Sequence, residues 1–316
     1  MGFFSIIERI TPRFSHINPA VVFSAVKVIV KYLDYIKNPE LAKNIVKRIN
    51  PSLGKINKYI FFFFSGKIII FLATLISWEN QPEVQYSILR NVGFILEKKP
   101  EILENDIKVF FVKFNDPYYI KLEKLHILIK LCNGQNFDAV LGELKEYTNE
   151  LDTQFVRKTI SAIGSIAVKY EKSVDKCINI LMHLLRTLKD IKTHVIDEIM
   201  LAMEKIYRKY PNKWKFDFSL QEVSSHFTKV YEPKAKAAVY WIIGEFVERF
   251  EKNETGLKFI EGRIDTFLEE QRIVQLQYLT AVVKIFLKYS ESTEELITKL
   301  LQTATESALN PDIRDR

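Results

Sequence analysis

The chain has 316 residues, a formal net charge of +7 and 47% hydrophobic residues, with only 10 Gly and 10 Pro. This composition is typical of a mostly helical globular chain and excludes long disordered tails. Two cysteines, Cys132 and Cys177, are too few for a disulfide framework or a cysteine-based metal site. We therefore expect a reducing compartment, with both thiols packed in the core.

The basic residues are scattered along the chain and do not form one cluster. Pairs such as Lys27/Lys31 and Lys121/Lys124 alternate with acidic residues at helical spacing, which is typical of solvated helix faces. An anionic membrane surface and nucleic acid are the two alternatives that the positive charge leaves open. We favour the solvated surface and expect no nucleic-acid partner.

Helix-opening signals recur along the chain and predict its architecture. From Pro82 onward they follow one another at steps of 35 to 40 residues. A fixed period in this range is typical of stacked helical hairpins. The openings are Pro19, Pro82, Pro117, Thr153, Thr193, Pro233, Arg272 and Pro311. Each leads into an apolar helix, called here an inner helix, and residues 233–250 are apolar on nearly every side.

A second, more amphipathic helix is predicted between successive openings. Its apolar residues keep the i, i+3, i+4, i+7 spacing of a half-buried helix. The three clearest sets are Ile107, Phe110, Phe111 and Phe114; Ile178, Leu181, Met182 and Leu185; and Ile297, Leu300, Leu301 and Ala304. We therefore expect an all-α fold, an α-solenoid of HEAT/armadillo-like helical hairpin repeats, forming one continuous domain over residues 1–316.

The period breaks between Pro19 and Pro82. The excess contains residues 54–71, a run rich in Phe, Ile and Lys that looks foreign to the repeats. Its apolar part, residues 59–72, is shorter than the roughly 20 residues that a membrane-spanning helix needs. We interpret residues 54–71 as an atypical insertion and hypothesise a retained intron or a gene-model error.

The sequence offers no catalytic constellation. The five histidines form no pair at metal-ligand spacing, and no nucleophile elbow is present. Gly164 is one glycine inside a predicted helix, which indicates close helix packing. We expect no catalytic, cofactor-binding or metal-ligating residues, and a binding scaffold in place of an enzyme.

Several motifs, in order along the chain, resemble the trunk of the beta-adaptins, the large beta subunits of clathrin adaptor complexes. They are Glu8-Arg-Ile-Thr-Pro-Arg, Pro82-Glu-Val-Gln-Tyr86, Lys108-Val-Phe-Phe-Val-Lys-Phe-Asn-Asp-Pro117, Arg208-Lys-Tyr-Pro-Asn-Lys213, Trp241-Ile-Ile-Gly-Glu245 and Asn310-Pro-Asp-Ile-Arg-Asp-Arg316. The resemblance covers nearly all of the chain except residues 54–71. It implies a trunk fragment that lacks the family's N-terminal part, clathrin-binding hinge and ear.

The resemblance also implies a role and a set of partners. The role is vesicle-mediated intracellular protein transport, with medium, small and second large adaptor subunits as partners and clathrin bound through the missing hinge. The complex would be cytoplasmic and peripheral on Golgi, endosomal or plasma membranes. The alternative is another helical-repeat scaffold, such as a nuclear transport receptor or an RNA-binding solenoid.

Two positions match the part of the family's trunk that covers the cargo pockets in its closed state. They are Leu151 and His194, where the family's usual small aliphatic residue and tyrosine are replaced. The resemblance implies a contact with the cargo-binding domain at these positions. Both residues are otherwise ordinary residues at the starts of inner helices, and that interpretation stays open.

Overall fold

The computed structural model describes residues 82–98, 107–187, 193–211, 217–250, 253–306 and 311–314, with scattered positions between 6 and 28. The chain divides into two compact units, Met1–Asn136 and Phe137–Arg316, and each is described by itself. Residues 54–71 lie outside the described residues, so the retained-intron hypothesis stays a prediction. The single continuous domain over residues 1–316 also stays a prediction.

The secondary structure of the described residues is helical, and no strand occurs among them. The α-helices are α1 (Pro82–Lys98), α2 (Tyr118–Leu131), α3 (Phe137–Tyr147), α4 (Thr153–Lys169), α5 (Val174–Thr187), α6 (Thr193–Lys209), α7 (Asp217–Ser225), α8 (Pro233–Phe246), α9 (Asn253–Glu261), α10 (Arg272–Lys288), α11 (Ser290–Glu306) and α12 (Pro311–Arg314). Short 3₁₀ turns lie between them, at Ile107–Phe110, Glu171–Ser173, Phe227–Lys229, Val247–Arg249 and Phe267–Glu269.

The predicted helix openings are confirmed from Pro82 onward. Helices begin at Pro82, Thr153, Thr193, Pro233, Arg272 and Pro311, and α2 begins one residue after Pro117. Proline suits the start of a helix because its fixed φ is already helical and its missing N–H would be unpaired there. The amphipathic helices predicted around residues 178–185 and 297–304 are α5 and α11.

The second unit is a stack of inner helices covered by partner helices. The inner helices α4, α6, α8 and α10 pack against one another in chain order. Around them, α3 and α5 pack on α4, α7 packs on α8, and α11 packs on α10. This is the predicted α-solenoid arrangement of helical hairpins, in which each inner helix has neighbours on several faces.

Two glycines let neighbouring inner helices approach closely. A Cβ on Gly164 of α4 would lie 3.0 Å from the Cβ of Ala202 on α6. A Cβ on Gly244 of α8 would lie 2.8 Å from both the Cα and the Cβ of Ala281 on α10. The prediction that Gly164 marks close helix packing is therefore confirmed, and Gly244 has the same function one pair further along.

Buried tyrosines join the two layers of the second unit. The Tyr207 hydroxyl pairs with Ser219 Oγ at 2.7 Å, and the Tyr278 hydroxyl donates to the Ile260 carbonyl at 2.8 Å. Burial raises the pKa of both phenols above the ordinary tyrosine range. Both phenols therefore stay protonated and form structural hydrogen bonds between a helix of the inner layer and its partner helix. The two cysteines are also buried, as predicted.

In the first unit, α1 packs on α2, and the structure corrects the expectation of a solvated lysine pair on α2. Lys121 and Lys124 are both buried, and the Lys124 side chain is only 2% exposed. Lys124 Nζ lies 2.6 Å from Asp116 Oδ2 and 3.4 Å from the Phe111 carbonyl oxygen. Burial lowers the pKa of Lys124, and the hydrogen bond and charge of Asp116 oppose that shift.

The same contacts explain why the helix predicted from Ile107 to Phe114 is wrong. Only Ile107–Phe110 is helical there, as a 3₁₀ turn, and Phe114 is exposed. The Lys113 N–H donates to Asp116 Oδ2 at 2.8 Å, and Lys124 binds that same oxygen. This buried ion pair holds residues 111–116 as a loop, so the apolar spacing does not continue as a helix.

Candidate functional site

Leu151 precedes the first inner helix of the second unit, α4. The Asp152 carboxylate caps this helix, because its Oδ1 accepts the N–H groups of Gln154 at 2.9 Å and Phe155 at 3.2 Å. The cap fixes the turn in which Leu151 lies. The leucine side chain is 89% exposed, so it is fixed at its backbone and open to a partner.

His194 lies in the first turn of the next inner helix, α6. Its side chain is 65% exposed, and its Nδ1 lies 3.6 Å from Oδ2 of Asp197, which is completely buried. The other carboxylate oxygen of Asp197 accepts the N–H groups of Tyr231 at 2.9 Å and Glu232 at 3.2 Å. Asp197 therefore joins the start of α6 to the residues that open α8.

Oδ2 of Asp197 is a buried acceptor without a hydrogen-bond partner among the described residues. A buried polar atom in this state costs free energy, which a hydrogen bond to it would recover. The nearest polar atom given for it is Nδ1 of His194, and their separation of 3.6 Å is beyond hydrogen-bonding distance.

An ion-pair network joins the starts of three inner helices. Arg157 of α4 has its Nη2 at 3.0 Å from Glu232 Oε2 and at 3.5 Å from Glu198 Oε2 of α6. Glu232 is the residue immediately before α8.

We call the starts of α4, α6 and α8 the N-terminal edge of the second unit. Leu151 and His194 both lie on this edge, at the starts of adjacent inner helices.

Sequence reasoning missed two residues of this edge. Tyr231 is 61% exposed and precedes α8 by two residues, as Leu151 precedes α4 by two. Superposing the repeats at Thr153 and Pro233 would have found this position. No local sequence pattern identifies Asp197, because the backbone N–H groups that it accepts lie 34 and 35 residues away, at Tyr231 and Glu232.

The N-terminal edge offers exposed side chains and ion pairs to a partner. Burial is the largest cause of the pKa shifts of Lys124, Tyr207, Tyr240, Arg263 and Tyr278, whereas the hydrogen bond to Glu123 and its charge raise the pKa of Arg90. No three His, Cys, Asp or Glu side chains come together as metal ligands would within the described residues. In that same part of the chain, every helix is too short or too polar to cross a bilayer.

Comparisons with known proteins agree with the fold. The family model for the adaptin N-terminal region matches residues 4–316. The chain is 42% identical over 313 residues to AP-1 complex subunit beta-1 of Mus musculus, and 37% identical over 314 residues to AP-2 complex subunit beta of Schizosaccharomyces pombe. Each match covers 99% of this chain. It covers 30% of the mouse protein and 42% of the yeast protein.

A structural comparison gives the same architecture. A structure described as a homology model of the full-length AP-3 complex in an intermediate open conformation matches with a TM-score of 0.58 at 15% identity. The match covers 89% of this chain and 44% of that chain. At this identity the match supports the all-α fold alone.

Proposed function

Because the chain belongs to the adaptin N-terminal family and is similar to beta subunits of adaptor complexes, we propose that it is a beta-type subunit of a clathrin-associated adaptor complex. Its role would be vesicle-mediated intracellular protein transport. The observation that carries the proposal is the 42% identity to an AP-1 beta subunit along 99% of the chain. The chain spans 30% of the length of that relative, so the partners of the whole protein are part of the proposal.

In this role the protein is a scaffold that binds other subunits through its surface and has no enzymatic activity. Ion pairs between neighbouring repeats support the scaffold. Lys284 of α10 lies 2.7 Å from Glu245 of α8, and Lys236 of α8 lies 2.6 Å from Glu270, which precedes α10. The stack would hold the medium subunit and take part in cargo recognition, together with the small and second large subunits. Rigid inner helices suit this role because a solenoid binds with an extended surface.

The proposed location is cytoplasmic and peripheral, on Golgi, endosomal or plasma membranes that carry clathrin coats. The chain would reach the membrane as part of its complex, and clathrin through a hinge found in longer family members. This role needs no cofactor.

Co-purification tests the adaptor role. The endogenous protein is tagged, and the proteins recovered from cytosol and from membranes are identified by mass spectrometry. Recovery of medium, small and second large adaptor subunits in equal amounts supports the role, and the second large subunit says which complex is present. Recovery of a Ran-type GTPase or of RNA, without adaptor subunits, would support the alternative nuclear transport or RNA-binding scaffold.

We further propose that Leu151 and His194 close over the cargo-binding domain of the medium subunit. Both residues are exposed on backbone segments that are held in place, Leu151 by the Asp152 cap and His194 by the first turn of α6. An exposed apolar side chain on a fixed turn can bury its surface against a partner at little entropic cost.

Leu151→Asp is expected to weaken the closed state of the assembled complex. Losing the burial of one leucine is worth about 1.5 to 3 kcal/mol. Because a weaker closed state frees the cargo-binding domain, the affinity for a cargo peptide in solution should rise by about tenfold to a hundredfold. The measurement is fluorescence anisotropy with a labelled cargo peptide and the purified complex. Leu287→Asp is the matched control, since Leu287 is also highly exposed but lies at the other end of an inner helix. Unchanged peptide affinity in Leu151→Asp would contradict the closing contact.

A further inference from the structure

The C-terminal halves of α4 and α6 form a shallow, open groove of about 540 Å³. Its lining consists of Ser165, Val168, Lys205, Arg208 and Lys209. Three of these five residues are cations, and none is acidic. We propose that this α4/α6 groove binds a short acidic peptide segment of a partner protein. The inference goes beyond the adaptor role and stands without it.

The walls of the groove are held in place by the helices themselves. The Tyr210 hydroxyl donates to the Val168 carbonyl at 3.0 Å, which joins the end of α6 to the end of α4. Above this bond, Gly164 and Ala202 bring the two helices into close contact. The groove is therefore formed before a ligand arrives, and binding does not have to order it.

The guanidinium of Arg208 is oriented in advance. Its Nε and Nη2 donate to Glu204 Oε1 at 2.8 and 2.6 Å, and its Cζ lies 4.0 Å from the ring centroid of Trp241. An arginine has five N–H donors, so the bond to Glu204 leaves three for a ligand. A planar guanidinium held in one orientation recognises a carboxylate through paired hydrogen bonds.

Lys205 and Lys209 add like charges on the same face of α6. They are four residues apart, so their charges repel each other along the helix. The C-terminal dipole of α6 compensates Lys209 and Arg208, which lie in its last turn. Lys205 lies one turn earlier, where this effect is weaker. An anionic ligand between Lys205 and Lys209 would relieve the repulsion.

The shape of the site favours a peptide over a membrane. The groove is shallow and open to solvent, with its three cations on α6, and the one apolar residue that lines it, Val168, is half-buried. Trp241 is also half-buried, between the guanidinium of Arg208 and Lys284, whose Nζ lies 5.8 Å from the ring centroid. Surfaces that insert into a bilayer present exposed apolar side chains. The groove instead suits a few carboxylates and one aliphatic side chain.

The test is peptide binding by the purified full chain. The probe is a short fluorescein-labelled peptide of Glu and Asp with one central Leu, followed by fluorescence anisotropy at low and physiological salt. We expect saturable binding that weakens as salt rises. The variant Lys205→Glu/Lys209→Glu should weaken it about tenfold or more. Lys205→Ala/Lys209→Ala is the milder second variant, and circular dichroism checks that each variant is folded.

The matched control is Lys145→Glu/Lys158→Glu. It changes the net charge equally at two exposed lysines outside the groove and should leave the affinity within about twofold. Equal loss in both charge-reversed variants would mean attraction by net charge alone and would overturn the proposal. Absence of saturable binding would also overturn it. So would binding of phosphatidylserine vesicles, and not of the peptide, through Lys205 and Lys209, because the groove would then be a membrane site.

Discussion

Asp116→Ala is expected to destabilise the first unit by about 3 to 5 kcal/mol, the usual cost of removing one partner of a buried ion pair. The variant leaves the Lys124 ammonium in a site where its side chain is 2% exposed. The Phe111 carbonyl oxygen, 3.4 Å from Lys124 Nζ, cannot replace a carboxylate 2.6 Å away. The loop over residues 111–116 would also lose the bond that Asp116 accepts from the Lys113 N–H.

The measurement is urea unfolding followed by circular dichroism, together with hydrogen exchange of the amides in α2. Hydrogen exchange reports the stability of each unit separately, whereas urea unfolding of the whole chain gives one signal for both units. We expect loss of protection in α2 and unchanged protection in α8 and α10. A Lys124→Met/Asp116→Ala double variant should recover most of the stability, because no buried charge then remains.

Asp265→Ala is the control for this experiment. Asp265 and Lys299 form an ion pair of similar length, 2.8 Å, with side chains that are 82% and 59% exposed. Removing an exposed pair should cost less than about 1 kcal/mol. If Asp116→Ala and Asp265→Ala had equally small effects, the buried pair would not be a determinant of stability in the first unit.

The sequence predicted the described inner helices well because their starts are local signals. A proline or threonine at the first helical position, followed by an apolar run, needs no distant residue to be interpreted. The helix predicted over Ile107 to Phe114 failed for the opposite reason. Its spacing was helical, but Asp116 and Lys124 hold the segment as a loop through a contact made only in the folded chain. The burial of Lys124 was missed for the same reason.

Only part of the candidate site could be predicted from the sequence. Leu151 and His194 came from the resemblance to the beta-adaptins, and the structure shows both exposed at the starts of inner helices. Their role at a cargo gate stays a prediction. Asp197 binds the backbone of Tyr231 across 34 residues, and a contact between two repeats cannot be identified from either repeat alone. The repeat period predicts the position of Tyr231, whereas the residues that contact Tyr231 are known only from the packing of the folded chain.

The close contact between α8 and α10 leads to the second large effect. Gly244→Val is expected to destabilise the second unit by about 3 kcal/mol, at the upper end of the usual cost of overpacking. A Cβ at Gly244 would lie 2.8 Å from the Cα and the Cβ of Ala281. Because one of these atoms belongs to the backbone, the helices must separate to make room. Ala281→Gly should therefore restore only part of the loss.

Gly142→Ala is the matched control, since Gly142 is also helical but a Cβ there has no neighbour within 4 Å. It should stabilise the protein by about 0.5 to 1 kcal/mol, because alanine loses less backbone entropy than glycine when a helix forms. Thermal unfolding of both variants compares the two positions directly. An unchanged melting temperature in Gly244→Val would mean that α8 and α10 can separate freely. The stack of inner helices would then be too soft to act as the rigid scaffold that the proposed function requires.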